Sequence, residues 1–296
     1  MTLDEHWFSE AARGFGMSLM IRQKLHEEQT PYQKIEIYDT ERFGRLMTLD
    51  GITMLTGRDN FIYHEMMTHP ALFAHARPLD VVVVGGGDCG SLHEVLKHPD
   101  INTVTQVELD ERVTRVSEQF FPELCASNGD PRATLLFEDA IAWMRDATAA
   151  SADVIVLDTT DPVGQAERLF SMAFYRDCHR VLRDGGILVA QSESPFLDLD
   201  ILKGLRGEMT AAGFGELRTL QFYLPTYPSG WWSATLAAKN HAFEGLGKPA
   251  ADSNSVQTRY YSPEIVRAAL VLPPWLQAEL GQISDIRHQT SDYRQQ

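Results

Sequence analysis

Basic charge is scarce in this chain. Its 296 residues hold 26 Lys and Arg against 41 Asp and Glu, a net charge of −15. Nucleic-acid phosphates need a basic face, so the balance argues against that partner. An acidic surface suits a cationic small molecule drawn in by the field. Cysteine is scarce as well. Cys89, Cys125 and Cys178 are odd in number and far apart, and no pair has metal-site spacing. That argues against a disulfide framework or a zinc site and fits a reducing cytoplasm. No apolar run reaches membrane-spanning length. The acidic opening MTLDEHWFSE has no apolar signal core, so neither membrane insertion nor export is expected. Internal repeats and low-complexity segments are lacking too.

What remains is ordinary globular composition, 44% apolar and 23% charged, enough to bury a substantial core without a staple. Residues 18–57 read as short strands. KIEIY alternates faces, and Asp50-Gly51 sits between two β-like runs as a hairpin signal. Residues 1–60 are therefore expected to form a small antiparallel β domain. From 61 to 296 strands alternate with helices. FIYHEMMTHPALFAHA reads as a helix despite Pro70, and VVVVGGG as a buried strand running into glycines. Further strands are expected at 103–110, 133–140, 152–158 and 185–191, with helices near 91–98, 111–119, 140–147 and 171–183. This pattern predicts a mostly parallel α/β sheet with helices on both faces. Residues 222–238 read as two strands around a Pro-rich loop, 240–258 as irregular, and 260–280 as two short helices.

The glycine turn carries the first chemical signal. Gly85, Gly87 and Gly90 in GGGDCG follow a strand and open a helix, which permits a tight turn and close approach of a ligand to the backbone. Glu108 ends the next strand, where a carboxylate can grip ribose hydroxyls. The same pattern would serve a nicotinamide dinucleotide, but Asp88 lies inside the turn, where it would repel a pyrophosphate. It suits a positively charged ligand. Asp139, Asp158 and Asp161 follow at later strand ends, and acids so placed converge on one crevice. Helix capping is the simpler explanation for any one of them, Asp139 above all, but a poor one for the set.

Read together, these residues are familiar. The chain resembles the spermidine synthases, the aminopropyltransferases, over nearly its full length. The matching pieces include WFSE, PYQKIEIYDT, LDG, FIYHEMMTHPAL, GGGDCGSLHEVLKHP, VELD, DTTDPVG, QSESPF, PTYPSGWW and YYSPEIVRAALVLP. The resemblance implies a β-strand domain followed by a methyltransferase-like (Rossmann-like) domain. The implied reaction moves aminopropyl from decarboxylated S-adenosylmethionine, a co-substrate, to putrescine, giving spermidine and 5′-methylthioadenosine. It implies no metal and no other cofactor, and a homodimer or homotetramer joined through the β domain.

Residue roles follow from the same resemblance. Gln33 and His64 contact donor or product, Glu108 holds the ribose, and Asp139 and Ala140 hold the adenine. Asp88 and Asp158 bind the donor's ammonium, and Asp158 is also the base. Tyr63 and Tyr227 orient the attacking amine, while Trp7, Asp161 and Trp232 line the acceptor channel. Gln165 is counted with the donor- and product-binding residues and lies in the loop over the site, where the family usually has proline. Cys89, His93, Gly57 and Asn60 also depart from the family pattern, and acceptor choice among putrescine, cadaverine, agmatine and spermidine stays open. Trp231, Met66 and Met67 read as core. His64 and His69, five apart, miss the metalloprotease spacing of four, and His69, His93 and His98 read as structural or surface. The rival readings are an amine N-methyltransferase, a dehydrogenase and an inactive nucleoside-binding subunit.

Overall fold

The computed structural model describes residues 6–12, 14–160, 164–240, 243–248 and 256–281. Two sheets organise them. The first is antiparallel and runs in chain order through β1 (Trp7–Ala12), β2 (Phe15–Gln29), β3 (Lys34–Thr40), β4 (Gly44–Leu49) and β5 (Ile52–Thr56). Asp50 and Gly51 both take positive φ, 51° and 80°, between β4 and β5, the geometry a two-residue hairpin needs. The sheet curls until Glu10 of β1 reaches β5, where its buried carboxylate accepts from the Thr53 amide at 2.8 Å. In place of several short strands before residue 30, one 15-residue strand, β2, runs beside β1.

The second sheet has seven strands in the order β11-β12-β10-β9-β6-β7-β8. These are β6 (Asp80–Gly85), β7 (Thr103–Glu108), β8 (Ala133–Phe137), β9 (Ala152–Asp158), β10 (Leu182–Gln191), β11 (Glu216–Tyr223) and β12 (Trp231–Ala238). The run from β10 to β8 is parallel, and β12 alone points the other way. Strand alternation sorts the core into two layers. Val81, Val83, Val154 and Val156 face one side, with helices α1 (Asn60–Ala74), α2 (Gly90–Leu96) and α7 (Pro263–Ala269). Val82, Val84, Ile155 and Leu157 face the other, with α4 (Ala140–Asp146), α5 (Met172–Val181) and α6 (Leu199–Ala211). A parallel strand buried on both faces must be apolar throughout, which is why Val81–Val84 is an unbroken run.

Helix α3 (Glu111–Phe120) joins the two sheets. Its Val113 and Val116 pack with Ile35, Ile37, Met47 and Leu49 of the antiparallel sheet. α8 (Pro274–Leu280) closes the described chain. One helix also departs from the sequence expectation. Helix α6 is one that the pattern hides, because Gly204 and Gly207 lower its helix propensity. Trp231, read as core, is half-buried: it packs against the buried cluster of Leu202, Leu272 and Leu276 and also stacks with Phe196 and meets Trp275 at the surface. Met66 and Met67 are fully buried, as expected. No helix among the described residues is long and apolar enough to cross a membrane.

Candidate active site

The carboxyl ends of the parallel strands build the site by register. Gly85 of β6 pairs with Asp158 of β9, and Glu108 of β7 pairs with Phe137 of β8. Three strand ends therefore deliver the glycine turn, Glu108 and Asp158 to one level. They floor a cavity of about 560 Å³, with Met47, Leu49 and Met54 of the antiparallel sheet opposite. That volume suits a small organic ligand.

The glycines are needed for different neighbours. At Gly85 φ is +76°, and a Cβ would lie 2.2 Å from the Asp158 carbonyl oxygen. At Gly87 it would meet Val113 and the Glu108 carboxylate, the latter at 3.0 Å. The space above Gly90 is filled not by ligand but by the His64 ring, whose Cε1 would be 2.2 Å from a Cβ. Cys89, buried, takes a left-handed φ of 68° at the start of α2. His93, another departure from the family pattern, bonds Ser127 Oγ at 2.8 Å. Asn60 opens α1 with its side-chain amide on the Thr56 carbonyl.

Charge in the site is arranged as one ion pair and two further carboxyls. His64 Nε2 lies 3.2 Å from one Asp88 oxygen and 3.3 Å from the other. Burial alone would lower the His64 pKa, but the Asp88 carboxylate more than reverses this and lifts it to about 9. Burial would likewise raise Asp88, and the imidazolium with the Gly90 amide brings it below the usual value. Asp158 goes the opposite way. Burial, and then repulsion from Asp88, push its pKa up against the opposing pull of His64 and two hydroxyl donors. Those donors are Tyr63 to Oδ1 at 2.8 Å and Ser91 to Oδ2 at 2.7 Å. Glu108 is raised to about 7 by burial above all, although the Asp110 amide bonds it at 2.9 Å.

Among the residues singled out from sequence, Gln33, Tyr63, Asp88, Glu108, Asp139, Ala140, Asp158 and Tyr227 line this cavity. Asp139 does both things weighed for it: Oδ1 caps α4 through the Ile141 amide, and the residue sits on the cavity rim. Tyr227 gives its hydroxyl proton to the Met54 carbonyl at 2.6 Å, and its ring meets Tyr63 and Trp232. His64 is one layer back, behind Asp88. Trp232 is buried behind Tyr227, and Trp7 lies on β1; neither lines the cavity. Asp161 lies outside the described residues, as does the side chain of Gln165. Sequence reasoning missed Ser91 and the clamp at Asp110, which takes Thr30 Oγ1 at 2.7 Å and Gln33 Nε2 at 3.1 Å. These contacts span 67 to 80 residues, and no local pattern signals them.

Glycines where side chains would collide, acids at three adjacent strand ends and a cavity between two sheets define an α/β protein of the Rossmann-like class with an acidic site at its strand ends. The comparisons with known proteins are specific. A spermine/spermidine synthase domain matches residues 60–245 and a spermidine synthase tetramerisation domain residues 6–57. The polyamine aminopropyltransferase of Thioalkalivibrio sulfidiphilus is 54% identical over 95% of this chain and 99% of its own. That of Methylococcus capsulatus is 55% identical over 91% and 95%. A crystal structure of spermidine synthase in complex with the transition state analogue AdoDATO superposes with a TM-score of 0.89 at 31% identity, covering 96% of this chain and 97% of the other. Spermidine synthase from Thermotoga maritima gives 0.86 at 29% over 95% and 96%. The chain belongs to the spermine/spermidine synthase family and is an aminopropyltransferase.

Proposed function

We propose that the protein transfers the aminopropyl group of decarboxylated S-adenosylmethionine to putrescine, releasing spermidine and 5′-methylthioadenosine. The observation that carries this reading is the pair of carboxylates, Asp88 and Asp158, on one cavity beside Glu108. An ammonium at the end of the donor's propyl chain is attracted there, whereas the carboxylate of intact S-adenosylmethionine would be repelled. Glu108 takes the ribose hydroxyls, Asp139 and Ala140 the adenine, and Gln33, held by Asp110, the donor's remaining edge. His64 acts from behind by holding Asp88.

The acceptor poses the harder problem. An amine of pKa about 10.4 is neutral in only roughly one molecule in a few thousand at pH 7. Asp158, with its raised pKa, takes the proton. Tyr63 and Tyr227 have given their own protons to Asp158 and Met54, so each presents an oxygen that accepts an N–H and aims the nitrogen lone pair. The nitrogen attacks the methylene beside sulfur, the carbon–sulfur bond breaks, and its electrons neutralise the sulfonium. Because the sulfonium is already electrophilic, the step calls for no metal or further cofactor, and positioning supplies much of the rate. Asp161, Trp7 and Trp232 are assigned to the acceptor end and Gln165 to the loop above. The match of residues 6–57 to a tetramerisation domain supports a homodimer or homotetramer, and three free thiols suit the cytoplasm.

The test is a competition assay. Purified protein is given each donor with equal putrescine, cadaverine, agmatine and spermidine, and the products are resolved by mass. Spermidine and methylthioadenosine, made only from the decarboxylated donor, are expected. S-Adenosylhomocysteine would establish a methyltransferase instead, and dominant spermine or aminopropylagmatine would overturn putrescine as acceptor while keeping the chemistry.

A further inference from the structure

Ser91 stands in the first turn of α2 and is fully buried, yet it carries a hydroxyl. An unpaired buried hydroxyl costs about 1–3 kcal/mol, so its partner matters. A serine inside a helix ordinarily turns to the carbonyl four residues back. Here that carbonyl belongs to Gly87, and Thr114 Oγ1 takes it at 2.8 Å. Ser91 donates instead to Asp158 Oδ2 at 2.7 Å, while Tyr63 donates to Oδ1 at 2.8 Å. With a donor on each oxygen, the carboxylate has one rotational setting, and each oxygen keeps a second lone pair.

We infer that Ser91 is the positioning residue of the base: its hydroxyl fixes the rotation of the Asp158 carboxylate and holds it ionised. This rests on the reading of Asp158 as base. The charged and titratable groups around Asp158 are unequal in their effect. Asp88 across the glycine turn repels it, His64 behind Asp88 offsets part of that, and Tyr63 and Ser91 bond it directly. Glu108 stands at the neighbouring strand end and Tyr227 beyond Tyr63. Of these groups, Ser91 alone stabilises the anion without itself titrating or lining the cavity. Removing its hydroxyl lets burial and Asp88 raise the base further, so protonation sets in at higher pH.

Ser91→Ala is therefore expected to lower kcat roughly tenfold and to move the acid limb of the acceptor kcat/KM profile up by about one pH unit. Above the shifted limb, where Asp158 is ionised in both proteins, the donor Kd changes by less than kcat, because Asp88 still holds the donor's ammonium. Ser91→Thr, which keeps the hydroxyl, restores both rate and limb. Ser91→Cys preserves the packing with a weak donor and serves the same comparison should the alanine variant fold poorly, with Tm as the monitor. A kcat and acid limb matching the wild type in the alanine or cysteine variant, with Asp158→Asn inactive, would overturn the inference alone. So would an unshifted limb with activity lost and no rescue by threonine. Near-normal turnover in Asp158→Asn would instead sink the base reading beneath it.

Discussion

The two ends of the cavity are built by different means. At the end we assign to the donor, strand register sets the floor: Gly85 opposite Asp158, Glu108 opposite Phe137, with the first helical turns of α2 and α4 beginning within a few residues. At the acceptor end, the residues assigned by resemblance come from β1, from the segment after β9 and from β12. Of these, Trp232 reaches the cavity only through Tyr227, and Trp7 does not line it. A site laid down by parallel strands tolerates little change, because moving one side chain means moving a sheet. A site assembled from the edge strand β1, a connection and one residue of β12 that acts through Tyr227 can change its acceptor with less disturbance of the donor. The comparison predicts a gradient of mutational cost from the first end to the second.

The largest effect belongs to the donor floor. Gly85 is held at φ +76°, where L-residues are strained, and a Cβ would collide with the Asp158 carbonyl at 2.2 Å. Neither neighbour can yield, since Gly86 N–H bonds that same carbonyl at 2.7 Å. Gly85→Ala should cost at least about 3 kcal/mol and lower Tm by roughly 5 °C or more, with donor binding lost by calorimetry. A variant with wild-type Tm and donor Kd would break the claim that register fixes this end.

An intermediate effect belongs to Asp88, which is paired with His64 before any ligand arrives. The folded His64 pKa, about 9, lies above the unfolded value of about 6.5. Its contribution to stability is therefore full below about pH 6.5 and is lost as pH rises through 9. Thermal melts of the wild type should show that decline between pH 7 and 10, and Asp88→Asn should flatten it. The same variant should narrow the preference for the decarboxylated donor over S-adenosylmethionine. A pH dependence of Tm identical in both proteins would show that the pair is not the source.

The donor end was also the more legible in sequence, for the same physical reason. Parallel strands buried on both faces leave runs such as Val81–Val84, and the glycines and acids that follow them mark the strand ends directly. Asp139 shows the limit of such reading, because capping and ligand contact are not alternatives there. Ser91, and Asp110 beneath Gln33, were invisible because their partners are distant in sequence. Helix α6 was hidden by glycines that meet nothing within 4 Å and so carry no packing signal. The length of β2 was hidden by its exposed, irregular burial, which leaves no clean alternation of faces. Trp231 was legible only in part: it packs on the buried Leu202, Leu272 and Leu276, but its surface contacts with Phe196 and Trp275 come from segments distant in sequence.

The smallest effect is expected at the acceptor end, and it tests the comparison most finely. Trp232 is 5% exposed and packs edge-to-face on Tyr227 at 4.6 Å, while the Tyr227 hydroxyl is anchored separately on Met54. Trp232→Phe keeps an aromatic wall but shortens it, so Tyr227 gains freedom at its ring and keeps its anchor. The space released is less than one ring, comparable to the methylene that separates cadaverine from putrescine. One methylene in such a channel is worth roughly 1–3 kcal/mol in discrimination. The variant should therefore lose several-fold of its preference for putrescine over cadaverine, with donor Kd unchanged and kcat on cadaverine at least maintained. The measurement is kcat/KM for both diamines beside donor calorimetry. If donor Kd weakens in step with acceptor selectivity, the two ends are mechanically one unit. If Trp7→Phe alters selectivity as much as Trp232→Phe, then the edge strand β1 reaches the acceptor as directly as β12 does, and the gradient ends short of this end of the cavity.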